Sequence, residues 1–457
     1  MNAPDLNRAL APSLRLAEQS IAVRYEAIPA PVRRVAKQAL LDWLACTIAG
    51  AHEPLVEILL AEAIADGGQG VVPIIGRAER VNRRDAAYIN GAGSHALDYD
   101  DVNVTFTGHP TVALVPAIFA YGHGRRVTGR QLIEAYVAGY ETLVRVGVLA
   151  GPGMYAHGFH ATAVCGVFGA AASIAQLTGM SAEALSRAFG IAGTQSAGLK
   201  SNFGTMCKPL HAGMAARNGM EAALLAARGF TGRSDILECE QGFIRTHSSE
   251  PRSAEALGPA PQGWHTRDTL FKYHAACYMT HAPIEAARKV RAQAGQALSA
   301  ASVKRATLQV ERGADRMCNI VSPKSGLESK FSLRQTIAMA LSDVDTAGLG
   351  NFSEAHANDP ALSALRQRIE IDFVDDRPAT RANLVVELQD GRRLIAEHDS
   401  GIPAADLDAQ ERNLRVKFDS LVIPALGATR AVELAQAALG LEDLTDIDRL
   451  VRLTTRS

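Results

Sequence analysis

The chain has 457 residues, 47% of them hydrophobic but only 5% aromatic, and its 47 basic and 48 acidic residues leave a net charge of -1. Such a length accommodates two or three domains, and apolar content carried mostly by Ala, Leu, Val and Ile favours helices packed through small residues. Near-neutrality without a basic tract argues against nucleic acid and anionic membranes as partners, so attraction for an anionic ligand must be local.

The N-terminal stretch MNAPDLNRALAPSLRLAEQSIAVRYEAIPAP is charged throughout, with neither a signal-peptide core nor an 18-residue apolar span. It points to a soluble, cytoplasmic protein. After Pro29 and Pro31, Val32, Val35, Ala36, Ala39, Leu40, Trp43, Leu44 and Thr47 recur at helical spacing, and Gly50 offers a stop; this is an amphipathic helix. RRDAAYINGAGSHALD, read as a helix from Asp85 to about Leu97, continues in the same style, as do GRQLIEAYVAGYETLVRVGVLA, HATAVCGVFGAAASIAQLTG, SAEALSRAFGIAGTQSAG and HAGMAARNGMEAALLAARGFTG. Several are apolar nearly all round, as helices buried on more than one side are.

Residues 247–269, HSSEPRSAEALGPAPQGWHTRDT, break that pattern and read as a crossing between domains. Beyond it SVKRATLQVER, RIEIDFVDD and ANLVVELQDGRRLIAEH alternate with period two, the last turning at Asp390-Gly391, while THAPIEAARKVRAQ and KFSLRQTIAMALSD are helical. DLDAQERNLRVKFDSL and ATRAVELAQAALGL return to helix. The fold class expected is mainly α: an all-helical domain over residues 1–266, completed by 399–457, and a smaller α+β domain over 267–398.

Four segments place ionisable residues in apolar or Gly-rich surroundings. The first holds His95, Asp98, Asp100, Asp101 and His109 at the end of a helix, where the dipole disfavours carboxylates, so they need partners; a solvated polar turn is the other reading. His160 precedes an apolar helix, as a site residue or as a satisfied core or capping histidine. Lys208, before Pro209, is placed on a loop entering a helix, either snorkelling to water or clamping an anion. The fourth, LFKYHAACYMTHAPIEAA, holds Lys272, His274, Cys277 and His281. No second cysteine or acidic ligand completes a metal set there, and Cys277 is either a nucleophile beside a histidine or part of a helix start.

The six cysteines (Cys46, Cys165, Cys207, Cys239, Cys277, Cys318) form no CxxC group and read as reduced thiols without structural zinc or an iron-sulfur cluster. No GxGxxG, P-loop, GxSxG or HExxH stands in a convincing context. Together the segments offer cations for carboxylates and a His or Asp to move a proton at the adjacent carbon, a set suited to di- or tricarboxylic acids.

The ordered segments AKQALLDWLACTIAGA, NGAGSHALDYDD followed by GHP, GFHATAVCGVFGAAAS, NFGTMCKPLHAGMAARNGMEAALLAARGFTG, FKYHAACYMTHAPIEAA and LESKFSLRQTIA resemble the MmgE/PrpD family over nearly the whole chain. The resemblance implies a large helical domain built from both chain ends, a smaller α+β lid, a homodimer, and a site between the domains with neither metal nor organic cofactor. It implies catalytic roles for Asp98, His109, His160, Lys208 and Lys272, with Lys208 and Lys272 as carboxylate-binding cations and His274 and Cys277 beside them. Departures from the family pattern are Val102 where relatives often carry Thr, a slightly longer spacer to His109, His274-Ala275 in the lid segment, and RMCNIVSP where decarboxylase-like members carry a lid tyrosine, which counts against cis-aconitate decarboxylation. The reaction implied is that of a lyase of the 2-methylcitrate dehydratase type, with epimerisation of a dicarboxylate and cis-aconitate decarboxylation as alternatives.

Overall fold

A computed structural model describes residues 11–67, 69–295 and 298–455. The part of the N-terminal reading that falls on residues 1–10 lies outside them. The chain divides into two compact units: residues 1–271 with 405–457, and residues 272–404. The sequence expectation divided it instead at 266/267 and 398/399.

The helices of the first unit that are eight residues or longer are α1 (Pro12–Ile21), α2 (Ala30–Gly50), α3 (Pro54–Ala65), α4 (Arg83–His95), α5 (Thr111–Gly122), α6 (Gly129–Ala150), α7 (Ala161–Thr178), α8 (Ala182–Gly193), α9 (Cys207–Ala227) and, after the second unit, α12 (Leu407–Leu426) and α13 (Ala428–Leu439). A short antiparallel pair, β1 (Gln69–Pro73) and β2 (Arg80–Val81), is the unit's only sheet among the described residues. At the centre α9 packs against α7 and α4, and α6 covers α7. α7 is long and apolar enough to cross a membrane, yet most of it is buried in this unit, so its apolar surface is used by the core.

Small residues set the spacing that brings the site together. A Cβ on Gly213 of α9 would lie 2.1 Å from the Tyr88 carbonyl oxygen of α4, and one on Gly91 would lie 2.7 Å from the Gly213 Cα. α4 and α9 therefore cross backbone to backbone, an approach that only glycine permits.

Residues 247–269 are not a crossing. They run along the first unit: Arg252 N–H donates to the Leu149 carbonyl at 2.8 Å, Thr266 N–H to Glu141 Oε1 at 2.8 Å, and Thr269 Oγ1 to Tyr140 Oη at 2.7 Å. Their Pro, Ser and Gly content reflects irregular backbone laid on α6, which sequence composition does not distinguish from a linker.

In the second unit, strands β3 (Val303–Glu311), β4 (Ile369–Val374), β5 (Arg381–Leu388) and β6 (Arg393–Asp399) form a sheet in the order β4-β3-β5-β6, parallel between β3 and β4 and antiparallel elsewhere. Helices α10 (His281–Ala294) and α11 (Leu333–Leu341) accompany it, and α10 packs on β5 and β6. Alternate residues of β5 are buried, as the period-two pattern requires for a sheet covered on one face. The β5–β6 turn falls at Asp390-Gly391, where Gly391 takes a positive φ of 86°.

Candidate functional site: a histidine and aspartate cluster at the end of α4

α4 ends at His95, two residues before the Leu97 end that the sequence suggested, and the next residues turn sharply. Asp98 sits at φ 51°, a left-handed conformation that Asp tolerates better than most residues, and its N–H donates to the His95 carbonyl at 3.1 Å. The carboxylates that follow each find a partner. Asp98 Oδ1 pairs with Lys208 Nζ at 2.8 Å and stands 3.6 Å from His109 Nε2. Asp100 Oδ1 lies 2.8 Å from His95 Nδ1 in a hydrogen bond, and Asp100 Oδ2 lies 2.9 Å from His109 Nδ1, an ion-pair contact whose N–H is turned off the line. Asp101 Oδ2 accepts from Thr111 Oγ1 at 2.6 Å.

The two buried aspartates are driven in opposite directions. Burial pushes the Asp100 carboxyl up, but the adjacent His95 and His109 outweigh it and hold the group well below the usual carboxylate range. At Asp101 burial dominates, Asp42 and Asp100 add to it, and the Thr111 hydrogen bond does not offset them; the carboxyl is raised well above its ordinary value. Asp100 is therefore an anion held by imidazoles, whereas burial at Asp101 favours the protonated acid packed against Thr111.

α7 and α9 supply the far side. His160 caps α7, and its Nδ1 stands 3.1 Å from His211 Nδ1 on α9, so one ring donates and the other accepts. Its ring is stacked 6.0 Å from His95 and meets the Phe203 edge at 5.0 Å. Burial, followed by the neighbouring His95 and Lys208, keeps His160 well below the ordinary imidazole range, so it is neutral near pH 7. Lys208 lies inside the first turn of α9, which begins at Cys207, rather than on a preceding loop. Pro209 fits there because a first-turn residue needs no N–H for the helix ladder.

Asp98, His109, His160 and Lys208 thus come together. Asp98, Lys208 and His109 keep 29%, 16% and 11% of side-chain exposure, while Asp100 and His95 behind them keep 1% and 0%. Lys272, His274 and Cys277 belong to the second unit. There His274 has both ring nitrogens engaged, Nδ1 with Thr346 Oγ1 at 2.8 Å and Nε2 with Glu285 Oε1 at 2.8 Å, so in this conformation neither is open to a ligand. Cys277 is buried and its N–H donates to the Lys330 carbonyl at 3.0 Å. Val102 is buried too, and its backbone pairs with Leu270. The sequence reading placed His95 in the first ionisable cluster without a catalytic role and did not single out His211, whose one signal is its position at i+3 from Lys208 on α9.

One ligand atom from each of His95, Asp98, Asp100 and His109 falls within 4.8 Å of the others, so these four could hold a metal ion. The Lys208 ammonium already sets a positive charge against Asp98. Chemically the group offers a cation for a carboxylate, an imidazole nitrogen for proton transfer, and a buried anion behind that imidazole.

The first unit thus brings a cation and several imidazoles together on converging helix ends. Comparison with known proteins places the chain: residues 14–256 match the MmgE/PrpD N-terminal domain and residues 274–443 the MmgE/PrpD C-terminal domain, and the chain belongs to this family. It is 27% identical over 453 residues to a cis-aconitate decarboxylase of Aspergillus terreus, covering 93% of this chain and 92% of that protein. It is 34% identical over 284 residues, 58% of each chain, to cis-aconitate decarboxylase-like protein oryM of Aspergillus oryzae. A cis-aconitate decarboxylase of Homo sapiens is 27% identical over 381 residues, covering 80% of this chain and 78% of the relative.

Proposed function

We propose that the protein is a lyase that acts on a tricarboxylic acid by proton transfer at a carbon next to a carboxylate, and that its reaction is decarboxylation of cis-aconitate or a close analogue. The observation that carries the chemistry is the Lys208-Asp98-His109 array, a cation and an imidazole Nε2 meeting at one partly exposed carboxylate. The names of the relatives that span most of the chain favour decarboxylation over the dehydratase reading that the sequence put first.

In this reading a substrate carboxylate competes with Asp98 for the Lys208 ammonium. The bond from the substrate methylene to its carboxyl carbon breaks, carbon dioxide leaves, and the electron pair moves into the neighbouring alkene. The double bond shifts, and a proton that His109 has first taken up at Nε2 from solvent passes to the carbon beside a remaining carboxylate, returning His109 to its neutral form. His160, neutral and joined to His211, lines this space as a polar but uncharged wall. Lys272 is proposed as a second carboxylate-binding cation, and a homodimer as the working form.

The experiment is turnover with a panel of cis-aconitate, 2-methylcitrate, citrate and succinate derivatives, with products read by proton NMR and carbon dioxide measured separately. Carbon dioxide release from cis-aconitate is expected. Loss of water from 2-methylcitrate without carbon dioxide would establish the dehydratase instead, and inversion of a dicarboxylate centre the epimerase.

A further inference from the structure

Behind His109 stands a pair of side chains with no part in the scheme above. Asp100 lies between two imidazoles, each presenting Nδ1 to it, at 2.8 Å from His95 and 2.9 Å from His109. An ionised carboxylate cannot donate, and its charge favours a proton on the nitrogen that faces it: through a hydrogen bond at His95, and at His109 through the 2.9 Å charge contact although the N–H lies off the hydrogen-bond line. A neutral His109 then carries its proton on Nδ1 and leaves Nε2 as a lone pair. Nε2 is the atom that faces Asp98 and the more exposed side of the cluster.

His95 gives the same reading from the opposite end. Its Nδ1 bond occupies Asp100 Oδ1, while its Nε2 is buried with no hydrogen-bond partner among the described residues. With one nitrogen bonded to Asp100 and the other without a hydrogen-bond partner among the described residues, the visible hydrogen-bonding role of this buried histidine is to hold that carboxylate. We propose that Asp100 and His95 are positioning residues that fix the tautomer of His109, with the proton on Nδ1 and Nε2 left to exchange a proton with the substrate. The reaction attached to this device rests on the function proposed above; the tautomer does not.

The direct test is long-range nitrogen-proton correlation NMR of the full chain labelled with 15N-histidine, with the His109 signals identified by their loss in His109→Gln. The wild type is expected to show His109 protonated at Nδ1. Asp100→Asn is nearly isosteric and presents an amide donor to one of the two rings. Because the aligned His95 bond retains the amide oxygen, His109 is expected to switch to the Nε2-protonated form. Asp100→Ala, which removes any partner, should populate the same form. In steady-state assays Asp100→Asn should lower kcat by about 100-fold to 10,000-fold, the range of general acid-base catalysis, whose upper end matches a wrong tautomer in a hydrolytic triad, with KM changed by no more than about threefold. An Nε2-protonated His109 in the wild type, or a His109 signal unchanged in both Asp100 variants, would overturn the proposal. The spectra need no substrate, so an intact tautomer pattern in a protein inactive on cis-aconitate would count against the proposed reaction alone.

Discussion

At the level of single residues the account separates groups that meet substrate from groups that hold them. His109→Gln removes the proton-transferring nitrogen and should lower kcat about 100-fold to 10,000-fold with a smaller change in KM, whereas Lys208→Ala should act mainly on KM. Steady-state kinetics on the substrate found by the panel measures both. Because Lys208 supplies the positive charge at Asp98, dialysis against a chelator should leave turnover unchanged; loss of activity restored by a divalent ion would assign His95, Asp98, Asp100 and His109 to a metal instead.

Asp101 gives a pH-dependent prediction of opposite character to Asp100. Its carboxyl is raised above its unfolded value of about 3.9, so its stabilising contribution is present below that value and is lost as pH rises through the folded pKa. Asp101→Asn keeps the neutral shape and should equal or exceed the wild type in Tm at pH 8, with that advantage fading toward pH 5. A large loss of stability at pH 8 would show that the anionic form is needed there.

Residue types in an unsuitable setting were the legible part of the site. Carboxylates at a helix end and a lysine before an apolar helix announce themselves because each is costly without partners. His211 did not, since a histidine inside a helix looks the same whether it lines a core or meets another imidazole; His95 stood in the cluster, but not as the group that holds Asp100.

Among the elements, α12 returns from the far end of the sequence to lie on α2 and reach beneath the Asp98–Asp101 turn. Lys417 of α12 pairs with Asp42 Oδ1 of α2 at 2.5 Å and donates to the Tyr99 carbonyl at 2.6 Å, with both side chains 2% exposed or less. A buried ion pair loses most when one partner is removed. Lys417→Met should therefore destabilise the first unit by about 3–5 kcal/mol. It should also disturb the turn that presents Asp98, so chemical denaturation and KM are expected to change together; a variant with wild-type stability would show that the pair is incidental. The period-two strands and the Asp390-Gly391 turn were readable because one buried face imposes alternation. The start of α9 was not: the bias against helix before proline is overridden where Pro209 occupies the first turn.

On the scale of the whole molecule, composition correctly indicated a helix-rich chain, and family membership follows from matches over residues 14–256 and 274–443. The structural division differs from that family division: residues 405–457 belong with the first unit, although the C-terminal family match runs to residue 443. Sequence matching follows chain order, while packing follows the apolar faces of α12 and α13. The choice among dehydration, decarboxylation and epimerisation was not legible, because a cation and a proton-transfer group next to a carboxylate suit each of the three. The most direct test of the central claim is proton and deuterium NMR of cis-aconitate turned over in deuterated water. The account predicts loss of carbon dioxide with one solvent deuterium at the carbon beside a remaining carboxylate, abolished in His109→Gln. Carbon dioxide loss without deuterium at that carbon, or no exchange and no product from any acid of the panel, would contradict it.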